Sequence, residues 1–210
     1  MKLQVWLAAS AALIACAGPV AGRTRSDTAK PAAAAEKGPA DAEAAAMEAY
    51  MKLNAPGEPH RMLAGLAGEW ALEVKSWTAP GAPPSVSQAT CVNKLVMGGR
   101  FVQEDVTGTM MDTPFAGMSL TGYDNIKKKY VGIWVDSMTT GIFRSEGDYD
   151  ASTKAMTFTG TSFDPMAGKD VQVRTVTRFE SPGRHVFEWY APGPDGKEMK
   201  SMEITYTRQK

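Results

Sequence analysis

Residues 117–141, GMSLTGYDNIKKKYVGIWVDSMTTG, decide the fold class of this chain. They predict two strands, 115–123 and 129–136, joined by the turn DNIKK at residues 124–128. Asp and Asn side chains hydrogen-bond their own backbone and tolerate a left-handed conformation, which favours a chain reversal over a continued strand. A second polar loop, residues 136–141, follows the hairpin. We therefore expect this hairpin to lie in the middle of an antiparallel barrel.

Turn signals divide the chain from Glu69 onward into ten strands. They fall at residues 80–84, 98–99, 111–114, 124–128, 137–141, 150–154, 164–168, 181–183 and 192–196. No intervening stretch is long enough and helix-patterned enough for a crossover, which argues against a parallel sheet. Ten up-and-down strands can close and leave no edge. The sequence thus predicts an all-β fold, an antiparallel up-and-down barrel, with a short helix closing one end and interior space for a small ligand.

The N-terminal part of the chain divides into three segments before the barrel domain of residues 68–210. Residues 1–21 have a basic start and an apolar run too short to span a bilayer, which is typical of a signal peptide. Residues 22–46 are rich in Ala and Pro and contain no aromatic residue, so we expect a disordered tether. Residues 47–67 are expected to be helical, with helix already favoured from Ala40 to Leu53 and a second helix starting at Pro59.

The sequence LIACA at residues 13–17 resembles the lipobox of bacterial lipoproteins. That resemblance implies that Cys16 carries a lipid and that the protein is exported to the periplasm and anchored to the membrane. Ordinary cleavage after Ala17 or Ala21, with Cys16 discarded, is the alternative.

Lipidation of Cys16 is testable by metabolic labelling. Because no other residue near the N-terminus has a thiol, Cys16→Ala is expected to abolish the incorporation of radioactive palmitate. Labelling of Cys16→Ala that equals labelling of the parent contradicts the lipobox interpretation.

Charge and cysteine content exclude several classes of function. Lys plus Arg and Asp plus Glu number 23 each, so no basic excess indicates nucleic acid or an anionic membrane surface as partner. A membrane contact is expected only through the lipid anchor. After removal of the signal segment, Cys91 is the one remaining thiol, which leaves no intramolecular disulfide.

Strand periodicity selects candidate ligand-binding residues. Successive residues on a strand face opposite sides, so an inward Trp70 implies inward Leu72 and Val74. On the last strand, Tyr206 and Arg208 point inward if Arg208 covers Trp70. On the central strand either face could point inward, and we expect the aromatic one. An interior of aromatic side chains with a few polar groups suits a small apolar or amphipathic molecule, although the same aromatics could simply fill the core. The candidate residues are Trp70, Tyr130, Trp134, Asp136 at the rim, Arg174, Tyr206 and Arg208.

Two resemblances support the barrel. Gly68-Glu69-Trp70 after a short helix, with Arg208 near the end of the last strand, resembles the calycins, that is, lipocalins and fatty-acid-binding proteins. The motifs PGEPH at 56–60, MGGRF at 97–101, GYDN at 122–125, WVDSM at 134–138 and PDGKE at 194–198 resemble a family of exported bacterial domains of unknown function. The second resemblance implies the barrel fold and a bacterial source, and it supplies no catalytic or binding residues.

Two other functions remain open. A scaffold or interaction module would have a solid core and would use the outer row Val131, Ile133 and Val135. A haem-binding barrel would need His185, which shares the parity of Trp189 and could reach the mouth. A hydrolase acting through Ser137 lacks an identifiable base. We therefore predict no catalytic residues, no metal site and no cofactor, and expect a binding protein rather than an enzyme.

Overall fold

A computed structural model describes residues 38–110, 112–164 and 168–210. The signal peptide, the lipobox at Cys16 and the tether as far as residue 37 lie outside the described residues. The chain divides into two compact units, Met1–Ala42 and Glu43–Lys210, and the second contains the whole barrel.

Two helices precede the barrel. Helix α1 spans Pro39–Leu53, so helix begins within the last residues of the segment predicted as a tether. Helix α2 spans Glu58–Ala64 and has Pro59 in its first turn, where proline's missing N–H is not needed. In the described part of the chain, neither helix is long and apolar enough to cross a bilayer.

Ten strands follow, and they confirm the predicted all-β fold. The nine connections fall where turn residues predict them. The strands are β1 Gly68–Ser76, β2 Ser85–Val96, β3 Phe101–Met110, β4 Thr113–Asp124, β5 Lys129–Asp136, β6 Phe143–Asp150, β7 Ala155–Asp164, β8 Lys169–Ser181, β9 Arg184–Pro192 and β10 Glu198–Arg208.

Every strand pairs antiparallel with its neighbours in sequence, and β1 pairs with β10 to close the barrel. In the closing ladder Trp70 lies opposite Arg208, and Leu72 lies opposite Tyr206. Closure satisfies the backbone groups that an open sheet would leave unpaired at its edges.

Helix α2 lies against the barrel end at which β1 begins, which we call the closed end. Leu63 of α2 is 1% exposed and packs with Val102, Tyr130, Met156 and Phe158. The opposite end, at which β1 ends and β2 begins, we call the loop end. Helix α2 packs against β3 and β4 and covers part of the closed end.

Candidate functional site

The aromatic face of β5 points into the barrel. Tyr130 is buried against α2, and a Cβ placed on Gly132 would lie 3.4 Å from Ser145 Oγ and 3.5 Å from Thr121 Oγ1. Trp134 continues the same face and packs against the cluster that contains Trp70 and Tyr206. The structure therefore places these four predicted aromatic residues inside the barrel.

Arg208 fastens the closed end. Its Nη1 donates to the Ala67 carbonyl and its Nη2 to the Gly65 carbonyl, both at 2.6 Å, and its Nε donates to the Pro182 carbonyl at 3.1 Å. Its guanidinium carbon lies 4.2 Å from the centre of the Trp70 ring, which is the stacking that the calycin resemblance implies. Because the chain itself occupies these donors, Arg208 positions the closing strand and does not face open interior space.

Glycine at position 68 is required by this arrangement. Its φ is +132°, and a Cβ there would lie 2.5 Å from Arg208 Nη1. A side chain would be strained by the backbone conformation and would displace the guanidinium.

His185 lies beside Trp70 at the closed end, so the expectation that it reaches the mouth is wrong. The ring is 5% exposed and stacks on Tyr206 with centroids 4.3 Å apart, and the Trp70 ring meets it edge-on at 4.6 Å. Burial, and secondarily the charge of Arg208, lowers the pKa of His185 to about 4, so the imidazole is neutral at neutral pH. An iron atom could approach this histidine only if the packed rings moved apart.

Arg174 points outward, so its predicted place among the interior polar groups is wrong. Its guanidinium forms a paired contact with the Glu198 carboxylate, at 3.0 Å from Nε and 2.7 Å from Nη2, and lies 4.0 Å from the centre of the Tyr190 ring. Its neighbour on β8, Thr175, is 6% exposed, and the alternation of a strand then directs Arg174 to the outer face.

Asp136 lies at the rim of the loop end. Its Oδ2 accepts the Trp134 indole N–H at 2.9 Å, and its Oδ1 accepts the backbone N–H groups of Met138 and Thr139 at 2.9 and 3.0 Å. One carboxylate thus fixes both the orientation of the indole and the start of the loop at 137–142.

Burial of the inward side chains is not uniform along the barrel. Trp70, Leu72 and Cys91 are each 1% exposed, whereas inward rings at the closed end, such as Tyr149, are partly buried. A set of inward side chains nearer the loop end is also half-buried. We call this set the cup, and its members are Val74, Ala89, Phe115, Trp134, Phe143, Phe187, Trp189 and Met202. Each of these side chains keeps some accessible surface.

Large rings in the cup lie over glycines or meet across the barrel. A Cβ on Gly117 would lie 2.4 Å from atoms of the Trp134 ring, so only glycine lets the indole lie flat there. Phe143 on β6 and Trp189 on β9 have ring centres 4.9 Å apart, although their strands are not neighbours. This pair therefore spans the interior of the cup.

Glu104 is a half-buried, inward acid that is absent from the predicted site residues. It lies on β3 between inward Val102 and Val106, and its Oε2 accepts the Ser119 hydroxyl at 3.1 Å. The Tyr206 hydroxyl and the Cys91 thiol also hydrogen-bond to it. Burial raises the pKa of Glu104 even though these donors act in the opposite direction. The sequence contains a signal for this position. Val102, Glu104 and Val106 share one face of the strand, so two apolar residues predict that the acid between them also points inward.

Two cavities lie on the outer surface. One, of about 310 Å³, is polar and is lined by residues of β1, β2, β9 and β10. The other, of about 650 Å³, we call the outer groove, and its apolar lining includes Phe101, Leu120, Val131, Ile133 and Ile142. Within the described ranges, no three His, Cys, Asp or Glu residues are grouped so as to hold a metal ion.

Comparisons with known proteins identify a family and a crystal structure of similar fold. Residues 55–208 match the family described as "Protein of unknown function (DUF1579)". No functionally curated protein matches the sequence. The crystal structure of Rv2717c from M. tuberculosis is similar, with a TM-score of 0.53 and 12% identity over 74% of this chain and 100% of that one. A redesigned β-barrel gives a TM-score of 0.38 with 16% identity over 71% of this chain and 96% of that one. At these identities the structural likeness concerns the fold alone.

Proposed function

This chain belongs to the DUF1579 family, which is described as a protein family of unknown function, and we propose that it binds a small apolar or amphipathic molecule in the cup. The observation that carries the proposal is the accessible apolar surface of the cup. Its inward rings, among them Trp134, Phe143 and Trp189, are half-buried although they lie inside the barrel. Apolar surface inside a barrel that remains accessible is a surface on which a ligand gains free energy by excluding water.

The lining of the cup suits an amphipathic molecule. Small-molecule pockets are mostly apolar, with a few polar groups that orient the ligand. Phe115, Trp134, Phe143 and Trp189 supply the apolar wall. The polar groups are Glu104 and Ser119 on the wall and Asp136 at the rim.

The contacts of Ser137 favour binding over hydrolysis. Its hydroxyl accepts the Ala116 backbone N–H at 3.1 Å. Both histidines are 5% exposed, His60 in α2 and His185 beside Trp70, so each lies toward the closed end. Among the described residues Ser137 therefore has no histidine base, which nucleophilic catalysis by serine requires.

Export and lipid anchoring belong to the same proposal. A lipid on Cys16 would hold the barrel at a membrane surface in the periplasm, where apolar molecules partition. The tether would then give the barrel freedom to take up or release its ligand there.

A neutral fluorescent probe tests the proposal. N-phenylnaphthylamine is uncharged, and in the cup it would lie close to Trp134 and Trp189. We expect saturable energy transfer from tryptophan to the probe with one probe per chain. Gly132→Leu adds an apolar side chain on the inward face of β5, where a Cβ has room, and is expected to weaken probe binding by at least about tenfold.

Ile133→Asn is the matched control, because adjacent strand residues face opposite sides. Ile133 lines the outer groove, so this variant should bind the probe as the parent does. Loss of binding in Ile133→Asn with retention in Gly132→Leu would contradict the interior site. Thermal melts of both variants establish that each is folded.

The outer groove supports a second candidate function, an interaction module. The groove has a volume of about 650 Å³ and contains Val131 and Ile133 of the row predicted to meet a partner. The backbone of Gly132 also lines the groove, but a side chain added there points inward, toward Ser145 and Thr121. The same pair of variants therefore distinguishes the two functions, because, of these two residues, only Ile133 contributes an apolar side chain to the groove.

A further inference from the structure

We propose that the cup selects ligands whose polar end is a cationic amine, with the Glu104 carboxylate as its partner and the Trp134 ring beside it. This inference rests on the proposed function and adds the chemical class of the ligand. Three observations point to it: the position of Glu104, the distribution of positive charge and the aromatic faces of the wall.

Glu104 lies in a row of inward residues that runs around the wall into the cup. Cross-strand pairing places Asn93 opposite Glu104, Glu104 opposite Ser119, and Ser119 opposite Trp134. Asn93 Nδ2 donates to the Leu66 carbonyl at 3.1 Å, so this amide is directed to the closed end. The carboxyl group of Glu104 therefore lies between the packed closed end and the half-buried Trp134.

Positive side chains are directed away from the cup. On the barrel wall they pair with acids of the outer face, as Lys94 does with Asp105 at 3.5 Å and Lys200 with Glu188 at 3.3 Å. Arg208 is bound to carbonyls at the closed end. Lys169 has the parity of inward Val171 but is exposed at the first residue of β8. In the described part of the chain, no Lys or Arg thus lies in the cup to pair with an anionic ligand.

A carboxylate ligand would therefore meet Glu104 without a compensating charge. Taking an ionised group out of water without a partner is unfavourable, and a like charge adds to that cost. An ammonium group meets the opposite situation, because an opposite charge within hydrogen-bond reach favours the ionised form of the Glu104 carboxyl group. Burial raises the pKa of Glu104, and a bound ammonium acts against that shift.

The aromatic wall has the same preference. Phe115 and Trp134 stack with centroids 6.4 Å apart, and Phe143 and Trp189 lie 4.9 Å apart. The face of an aromatic ring carries partial negative charge and attracts cations. The aromatic wall and the Glu104 carboxylate therefore both favour a cationic head group.

Displacement of N-phenylnaphthylamine by three matched amphiphiles tests the inference on the full mature protein. Dodecylamine, dodecanol and dodecanoate share one chain and differ only in the head group. At neutral pH and below their micellar concentrations, we expect dodecylamine to displace the probe at about tenfold lower concentration than dodecanoate, consistent with a charge-assisted hydrogen bond. Dodecanol should lie between them.

Glu104→Gln keeps the shape of the side chain and removes its charge. We expect the ratio between amine and carboxylate to fall to within about threefold in this variant. Glu180→Gln is the matched control, because Glu180 is exposed and pairs with Arg184 at 2.6 Å on the outer surface. It should keep the parental ratio.

The outcomes separate the two proposals. If the probe binds but dodecanoate displaces it as well as dodecylamine does, the inference about the amine is overturned and the proposed function stands. If the probe does not bind at all, both are overturned. If Glu104→Gln does not fold, the order of the three amphiphiles on the parent protein still decides, and a carboxylate that binds as tightly as the amine overturns the inference.

Discussion

Replacing Arg208 by alanine is expected to lower the free energy of unfolding by about 3 kcal/mol, the sum of lost hydrogen bonds and ring stacking. The variant leaves the Gly65 and Ala67 carbonyls without their donors and removes the group stacked on Trp70. These contacts join the last strand to the segment before β1. The lost free energy is therefore energy that stabilises the closed barrel. Denaturation in urea, followed by tryptophan fluorescence, measures the difference.

Arg208→Lys and Arg184→Ala are the controls for this prediction. Lysine keeps the charge but cannot reach two carbonyls while stacking, so Arg208→Lys should recover only part of the stability. Arg184 pairs with Glu180 on the exposed surface, and its removal should change stability by less than about 1 kcal/mol. A stability of Arg208→Ala equal to that of Arg184→Ala would contradict the role of Arg208 as the fastening of the closed end.

Gly147→Ala is expected to lower the free energy of unfolding by about 3 kcal/mol, at the upper end of the cost of overpacking. Gly147 is buried on β6, and a Cβ there would lie 2.1 Å from the Thr157 carbonyl oxygen and 2.8 Å from Phe158 Cα. Both are backbone atoms of β7, so a side-chain rotation cannot relieve the contact. The same urea titration measures this loss.

Gly132→Ala is the matched control, because it adds the same methyl group on the neighbouring strand. The nearest atoms to a Cβ at Gly132 lie at 3.4 and 3.5 Å, which is ordinary van der Waals contact. We expect a change within about 1 kcal/mol, toward higher stability, since glycine weakens a strand. Equal losses in the two variants would show that the β6 and β7 backbones are not packed as described.

The fold could be predicted from the sequence because each strand and each turn has a recognisable pattern within a few consecutive residues. Period-two alternation marks the strands, and residues such as Asp124 and Gly98 mark reversals. Short connections make neighbouring strands pair antiparallel. Such a sheet has no unpaired edge strands only if its first and last strands also pair, which closes the barrel. The contact of Arg208 with Trp70 depends on that closure, and the calycin resemblance supplied it.

Parts of the site could not be read from the sequence, for physical reasons that differ by residue. Alternation along β8 could have placed Arg174 outside, because it shares a face with Gln172 and Arg178, while Val171 and Val173 share the other. Its pairing with Glu198, 24 residues away, has no local signature. The location of His185 depends on which barrel end its turn belongs to, a property of the whole topology. Glu104 could have been placed inside from its position between Val102 and Val106, since alternation along one strand is sufficient for that assignment.

Native mass spectrometry of the mature protein with N-phenylnaphthylamine tests the central claim, an interior that admits a small molecule from the loop end. We expect a one-to-one adduct with the parent protein and with Ile133→Asn, and adduct formation at least about tenfold weaker with Gly132→Leu. An adduct that persists unchanged in Gly132→Leu, or no adduct with the parent, would contradict this claim.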